Sequence, residues 1–395
     1  MAGTGLRGPA SEHQTLPNRK MSQQSEPTDK YASLTPLYAK WMDELLGTPI
    51  PRETKATCDD CCMCARPGEA TGNDDRYFAR DIKCCSIVPE LSNFQVGGIL
   101  SAPDADDDSR RGRDSILHRI AEAPVVTPLG LGQSPLFKLV YENQDAFGRS
   151  PTLRCPHYVK DTGRCGIWRH RGAVCVTWFC KHTRGAVSHA FWRDGLENLL
   201  GIVERNLAAW CISELDIGID ALLELYGATT DARPPALTPA QLEDRPDRER
   251  QRRLWGKWFG REQEFYIQCA RLVEPLSWRR VVEICGSQVR IQADITRNAY
   301  EKLVSVEIPP SLKVGSFQLV QITSGTSRVR SYSELDPLDV PAAVMETLGY
   351  FDGRPTEQVV RAIAAEKAIQ LDPSLVRKLC DFQLLVPAAP LQSSE

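Results

Sequence analysis

Residues 154–182 read RCPHYVKDTGRCGIWRHRGAVCVTWFCKH and hold four cysteines, Cys155, Cys165, Cys175 and Cys180, with nine, nine and four residues between them. DTGR (161–164) is turn chemistry, so Cys155 and Cys165 are expected on either side of a hairpin-like reversal. Cys175 and Cys180 would close the site from a following loop or helical turn. His157 and His182 stand two positions after the first and the last of these cysteines. Upstream, CDDCCMC (58–64) supplies Cys58, Cys61, Cys62 and Cys64, and Cys84-Cys85 follows after a polar stretch. Ten of the fourteen cysteines thus fall into two dense groups. Thiolates at such short gaps are what a soft metal centre needs if a short peptide is to hold it.

Composition argues against the rival use of cysteine. Disulfide scaffolds are small secreted domains, whereas this chain has 395 residues, is 42% hydrophobic and can bury ordinary cores without staples. The first thirty residues contain no apolar run that could act as a signal-peptide core, and nothing elsewhere approaches a membrane span. A reducing, cytoplasmic setting and no membrane partner are therefore expected. With 48 Lys and Arg against 51 Asp and Glu, the formal charge is −3, which gives no global case for nucleic acid. The run DRPDRERQRRLWGKWFGR (244–261) interleaves seven basic residues with aromatics. Its Trp255, Trp258 and Phe259 fall on one helical face with charges opposite, as in any amphipathic helix, so nucleic acid is not expected there.

Patterning divides the chain into four parts. Residues 1–30, rich in Ser, Gln, Pro and Gly, read as a disordered tail. A cysteine-rich metal domain is expected over 31–185, entered by an amphipathic helix through Leu34, Leu37, Tyr38, Trp41, Met42, Leu45 and Leu46 that stops at Gly47. Within it, SAPDADDDSRRGRD (101–114) reads as a solvated loop. A helical domain over 186–300 follows from apolar positions at helical spacing, such as Phe191, Leu199, Leu207, Trp255 and Phe265. Between its halves, ATTDARPPALTPAQLEDRPD holds four prolines and reads as a linker. Cys211, Cys269, Cys285 and Cys380 lie in apolar segments, where a lone thiol acts as a small hydrophobe.

Residues 303–388 change character. VSVEI, FQLVQI and SRVRSYS read as short strands, followed by helical patterns over 340–350, 356–368 and 373–382 and a closing LLV strand. The fold class expected is mainly α with an irregular cysteine-rich metal-binding domain and a small α+β, winged-helix-like C-terminal domain. That last core would use Val344, Leu348, Phe351, Val359, Ile363, Leu375, Leu379 and Leu384.

Ligand arithmetic bears on the metal. A structural zinc site takes four ligands and tends to come as two C-x2-C pairs, whereas ten grouped thiols lack that symmetry. Iron–sulfur clusters use Cys thiolates almost exclusively and tolerate irregular gaps. One or two 4Fe-4S clusters are the favoured cofactor, with zinc the alternative, and all of Cys58, Cys61, Cys62, Cys64, Cys84, Cys85, Cys155, Cys165, Cys175 and Cys180 are candidate ligands. The second segment's four thiols are assigned to one centre. The two histidines are candidate ligands or, more readily, outer donors to a sulfur, and Arg169 and Arg171 are either surface charges or donors to sulfur and carriers of an anionic substrate.

The second segment resembles the YkgJ family of cysteine-rich zinc- or iron-chelating proteins. The matching residues are Cys155-Pro156, Asp161, Gly163, Cys165, Ile167-Trp168, Arg171, Cys175 and Cys180. It departs from the family pattern at Trp168, where Tyr is usual, and at Gly172, where Pro is usual. CDDCCMC resembles the family's opening C-x2-C-x2-C-C only loosely. A relative, flagellin lysine methylase, implies an iron–sulfur protein that modifies a protein side chain. GYFDGRPTEQVVRAIAAE (349–366) and KLCDFQLLV (378–386) resemble PqqD-like winged-helix domains, which implies capture of a peptide as an added strand. There is no GxGxxG after a strand, no P-loop, no GxSxG, no HExxH and no radical-type CxxxCxxC. The function expected is an iron–sulfur protein that modifies or processes a peptide or protein recruited by the C-terminal module. The alternative is a non-catalytic electron carrier or a zinc-stabilised interaction module.

Overall fold

Thr35 caps the first helix by accepting from the Tyr38 amide at 3.5 Å, and Pro36 occupies the first turn, where its missing N–H costs nothing. That helix, α1 (Pro36–Leu46), buries Tyr38, Trp41, Met42 and Leu45 on one face, as its spacing predicts. The computed structural model describes residues 33–388, apart from residue 59 and segments 66–76, 123–124, 144–146, 228–238, 240–242 and 244–246. The expected tail and most of the expected linker lie outside these residues.

A strand β1 (Leu91–Ser92) then leads into α2 (Asn93–Ser101), and α3 follows over Asp107–Glu122. The sequence reading placed a loop here. Asp106 Oδ1 accepts from the Ser109 amide at 2.7 Å, and Asp107 pairs with Arg110 and Arg111 one turn on, so the charges that suggested a solvated excursion support a helix. Strands β2 (Val126–Thr127) and β3 (Gly130–Leu131) pair antiparallel and β3 also pairs with β1. Next come α4 (Pro135–Asn143) and the two-residue strands β4 (Tyr158–Val159) and β5 (Arg164–Cys165).

After the short α5 (Ala173–Thr177), α6 (Gly185–His189) runs through a π-helical stretch at Ala190–Glu197 into α7 (Asn198–Glu214). The changed register there leaves the Asp194 and Gly195 carbonyls to accept from Gln292 Nε2, at 2.7 and 3.1 Å. Helices α8 (Ile219–Gly227), α9 (Arg248–Trp255), α10 (Glu262–Val273), α11 (Trp278–Cys285) and α12 (Ser287–Val304) complete the helical part. The buried side chains of α1, α2 and α3 share one continuous core with those of α7, α10, α11 and α12, centred on Trp41, Phe94, Trp192, Leu199 and Phe265. The closest approach is α2 against α10: a Cβ on Gly97 would sit 1.7 Å from the Tyr266 carbonyl oxygen, so only glycine fits. Cys211, Cys269 and Cys285 are buried, as expected of small hydrophobes.

The C-terminal region is α+β with a core of its own around Leu312, Val329, Phe351, Val359, Ile363, Leu379 and Leu384. Its strands are β6 (Ser311–Val314), β7 (Gln318–Ile322), β8 (Thr326–Arg330) and β9 (Leu338–Pro341), then α13 (Ala342–Met345), β10 (Asp352–Pro355), α14 (Thr356–Lys367), α15 (Pro373–Asp381) and β11 (Leu385–Pro387). They form two antiparallel sheets, β10-β6-β11 and β7-β8-β9. VSVEI is not a strand: α12 runs on to Val304, and pairing begins only at Ser311. The expected helix over 340–350 is divided between the end of β9, α13 and a 3-10 turn at Leu348–Tyr350. At the coarse level the chain is mainly helical with small antiparallel sheets. No helix among the described residues is long and apolar enough to cross a membrane.

Candidate metal centre

The cysteine-bearing segments are short and irregular, so each is held by bonds from elsewhere. Tyr158 pairs with Cys165 across the β4–β5 hairpin, and Gly163 at φ +68° makes its turn, which places Cys155 and Cys165 about the reversal as DTGR implied. Lys83, itself at φ +56°, donates through Nζ to the Cys58 carbonyl at 2.6 Å and the Gly163 carbonyl at 2.9 Å. This ties CDDCCMC to the hairpin. The Cys155 amide donates to the Cys85 carbonyl at 2.8 Å, a second link between the two cysteine groups.

Cys175 sits on α5, whose first amide, Ala173 N, donates to Glu204 Oε1 at 2.7 Å. The same oxygen accepts from Tyr38 OH and from Gln95 Nε2 at 2.7 Å, so one carboxylate joins α1, α2, α5 and α7. Burial raises this carboxyl above its ordinary range, while these donors pull the other way. At the other end of α5, Thr177 Oγ1 donates to Glu197 at 2.8 Å, and Arg171 donates to the Cys175 carbonyl at 3.0 Å.

These supports bring the thiols around one cavity of roughly 1770 Å³, lined by Cys58, Cys61, Cys84, Cys85, Cys155, Cys165, Cys175 and Cys180. The remaining two stand just behind. Cys62 Sγ lies 3.8 Å from Cys180 Sγ, and the Cys64 amide bonds to the Cys61 carbonyl at 3.0 Å. All fourteen cysteines of the chain are free thiols. The arrangement has two lobes. In one, the charges of Cys155 and Cys165 bear on Cys175 and Cys85. In the other are Cys61, Cys62, Cys64 and Cys180, packed among Met63, Phe78, Phe147 and Leu335. Cys84 faces both, since its charge is felt at Cys58, Cys165, Cys175 and Cys180. The second segment's four thiols, Cys155, Cys165, Cys175 and Cys180, all line this one cavity, and Cys180 also stands beside Cys62 of the first segment.

Electrostatics follow this layout. Hydrogen bonding from the Cys64 thiol pulls Cys61 down to about 6, and the same bond pushes Cys64 up. Cys62 is lowered and Cys180 raised by their shared bond, and Cys84 and Cys85 stand in the same relation. Burial pushes Cys155 up to about 12 and also raises Cys165 and Cys175. Nearby cations oppose it. Arg171, 8% exposed, favours the thiolates of Cys58, Cys84, Cys165 and Cys175; Lys83 acts on Cys58, Cys61 and Cys64; Arg119 acts on Cys155. The Arg171 guanidinium stacks 3.4 Å from the centroid of the half-exposed Trp168 and bonds to carbonyls of Trp168, Cys175 and Ser33. It is thus a fixed counter-charge, a role the sequence did not single out.

His157 is committed elsewhere. Arg119 donates to its Nε2 at 3.0 Å, so Nδ1 carries the hydrogen and donates to Ser115 Oγ at 2.7 Å. Burial, helped by Arg119, lowers this ring to about 3 and keeps it neutral. It fastens α3 to the hairpin. His182 is also buried, and its Nε2 has no hydrogen-bond partner among the described residues.

Among the described residues, no three His, Cys, Asp or Glu side chains are gathered tightly enough to hold a single ion. The donor set consists of soft thiols with buried cations beside them, standing around a space many atoms wide, and this fits a multi-iron cluster. No family model, curated protein or solved structure matches this chain.

Proposed function

We propose that this chain is an iron–sulfur protein that acts on a peptide or protein held by its C-terminal region. The observation that carries the reading is the convergence of thiols from CDDCCMC, Cys84-Cys85, the β4–β5 hairpin and α5 on one cavity. Cys155, Cys165 and Cys175 with Cys84 or Cys85 would hold one cluster, and Cys61, Cys62, Cys64 and Cys180 a second. A cluster bound there supplies one-electron transfer or, with an open iron, Lewis acidity. Lys83, Arg119 and Arg171 would offset the thiolate charge, and binding would release the protons that burial keeps on Cys155, Cys165 and Cys175. The cavity continues past the sulfurs to Tyr38, Trp168, His170 and Arg271, which leaves room for a substrate side chain beside the thiols.

Recruitment would use β7. It is an edge strand of the β7-β8-β9 sheet, and its Leu319, Val320 and Ile322 are 49%, 54% and 68% exposed. An extended peptide added there would satisfy the open backbone groups and cover those side chains.

A zinc-stabilised module is the second reading, favoured by one spacing. Four thiolates about 2.3 Å from zinc stand roughly 3.8 Å apart, and Cys62 and Cys180 lie 3.8 Å apart. Anaerobic purification decides between the two. Iron and acid-labile sulfide in the protein, with visible charge-transfer absorption, are the expected result. A colourless protein holding stoichiometric zinc would overturn it.

A further inference from the structure

We propose that Tyr332 and Asp336, in the loop between β8 and β9, are positioning residues for Cys180. The C-terminal region is then a built-in part of the thiol centre and not an appendage on a tether. The inference rests on the metal-centre reading above. Cys180 lies between α5 and α6 on a stretch with no regular structure, so side chains from elsewhere must fix it. Three successive residues beyond it hand donors to three carboxylates. The His182 amide donates to Asp336 Oδ2 at 3.0 Å, and the Thr183 amide to Glu53 Oε2 at 2.5 Å. The Arg184 guanidinium bonds both oxygens of Asp381, at 2.6 and 3.0 Å. Two of these three carboxylates belong to the C-terminal region.

The bracket around His182 is closed to the surface. His182 is 1% exposed and Asp336 4%. Tyr332 OH donates to Asp336 Oδ2, which uses its only hydrogen, so the hydrogen in the 3.3 Å contact with His182 Nδ1 comes from the imidazole. His182 is thereby held through its amide and its ring by one Tyr–Asp pair. Leu335, between these two residues, packs into the same apolar group as Cys62 and Cys180. The loop that connects two strands of the recruiting sheet therefore lies against the thiol lobe that contains Cys180. Any coupling between peptide binding at the sheet and metal binding at the thiols would run through this contact and be equal in both directions.

The test uses the full-length chain, both metal-free and after anaerobic loading with iron and sulfide. Alkylation of each cysteine is followed by mass spectrometry. In the metal-free chain, Asp336→Ala is expected to speed alkylation of Cys180 by about tenfold through local opening, with Cys155 and Cys165 unchanged. Tyr332→Phe is expected to do the same to a smaller extent. Asp336→Asn keeps an oxygen to accept from the His182 amide and should restore protection. Arg354→Ala, on the exposed Arg354–Asp352 pair of the same region, should change nothing. In the loaded chain, Asp336→Ala should weaken metal retention by roughly tenfold to a hundredfold, as loss of an orienting partner does. Unchanged Cys180 alkylation in both Asp336→Ala and Tyr332→Phe overturns the proposal, as does an equal rise at Cys155 and Cys165. A wild-type chain that takes up no metal would refute the metal reading, while the alkylation pattern would still decide the positioning role.

Discussion

The helical core and the thiol centre are held together by opposite means. Around Leu199, Phe265 and Trp192 many apolar side chains each contribute a share, so stability is spread over several helices. Around the thiols the segments are too short to bury much, and single groups hold whole stretches: Lys83 for CDDCCMC, Glu204 for α5, Asp336 and Glu53 for the residues after Cys180. One region is stable because of its number of contacts, the other because a few charged partners are correctly placed. Damage should therefore spread globally in the first and stay local, but functionally severe, in the second.

Metal removal should separate the two most strongly. Coordination is worth roughly 10 kcal/mol or more where it is coupled to folding, so chelation should open residues 52–65, 77–85 and 154–184 to protease while α7, α10 and α12 stay resistant. Equal resistance with and without metal would erase the distinction. Next, Phe265→Ala should cost about 3–5 kcal/mol, because its site lies in a close-packed interior. Its effect should appear as one cooperative loss in chemical denaturation, with the metal-to-protein ratio of the folded fraction unchanged. Arg184→Met removes a largely buried pair with Asp381 and three bonds to the carbonyls of Lys302, Leu303 and Ser305. A loss of about 2–3 kcal/mol is expected, read by hydrogen exchange at the junction of α12 and β6 before any change in α7. The smallest effect should be that of Cys380→Ser, within about 1 kcal/mol. It should leave bound metal unchanged, whereas Cys175→Ser and Cys180→Ser should each remove a large part of it. If Cys380→Ser stripped metal equally, the grouping of thiols would be wrong.

What could be read from the sequence follows the same division. Periodicity located α1, α14 and α15 and the closing strand, and DTGR located the β4–β5 turn, because in each case the signal is local. It failed at α3, where Asp107, Arg110 and Arg111 look like a solvated loop until their one-turn spacing is noticed. The surroundings of Cys180 were not legible for a deeper reason: the His182 and Thr183 amides just beyond it are held by Asp336, more than 150 residues away, and by Glu53, and no spacing within residues 154–182 encodes either. The sequence offers Arg171 as a donor to sulfur or a carrier of an anionic substrate, and its carbonyl partners make it a fixed counter-charge.

The contact of Gly97 with the Tyr266 carbonyl has a mechanical consequence. With no side chain between them, α2 and α10 pack backbone against backbone as one close-packed wall that lends Gln95, Gly98, Ala270 and Arg271 to the cavity lining. A guest larger than the resting space cannot be accommodated by bending that wall. The compliant side is the opposite one, where short segments hang on single bonds. Widening of the cavity on that side would displace the sulfurs themselves, so a bulky guest there would register as strain on the thiols.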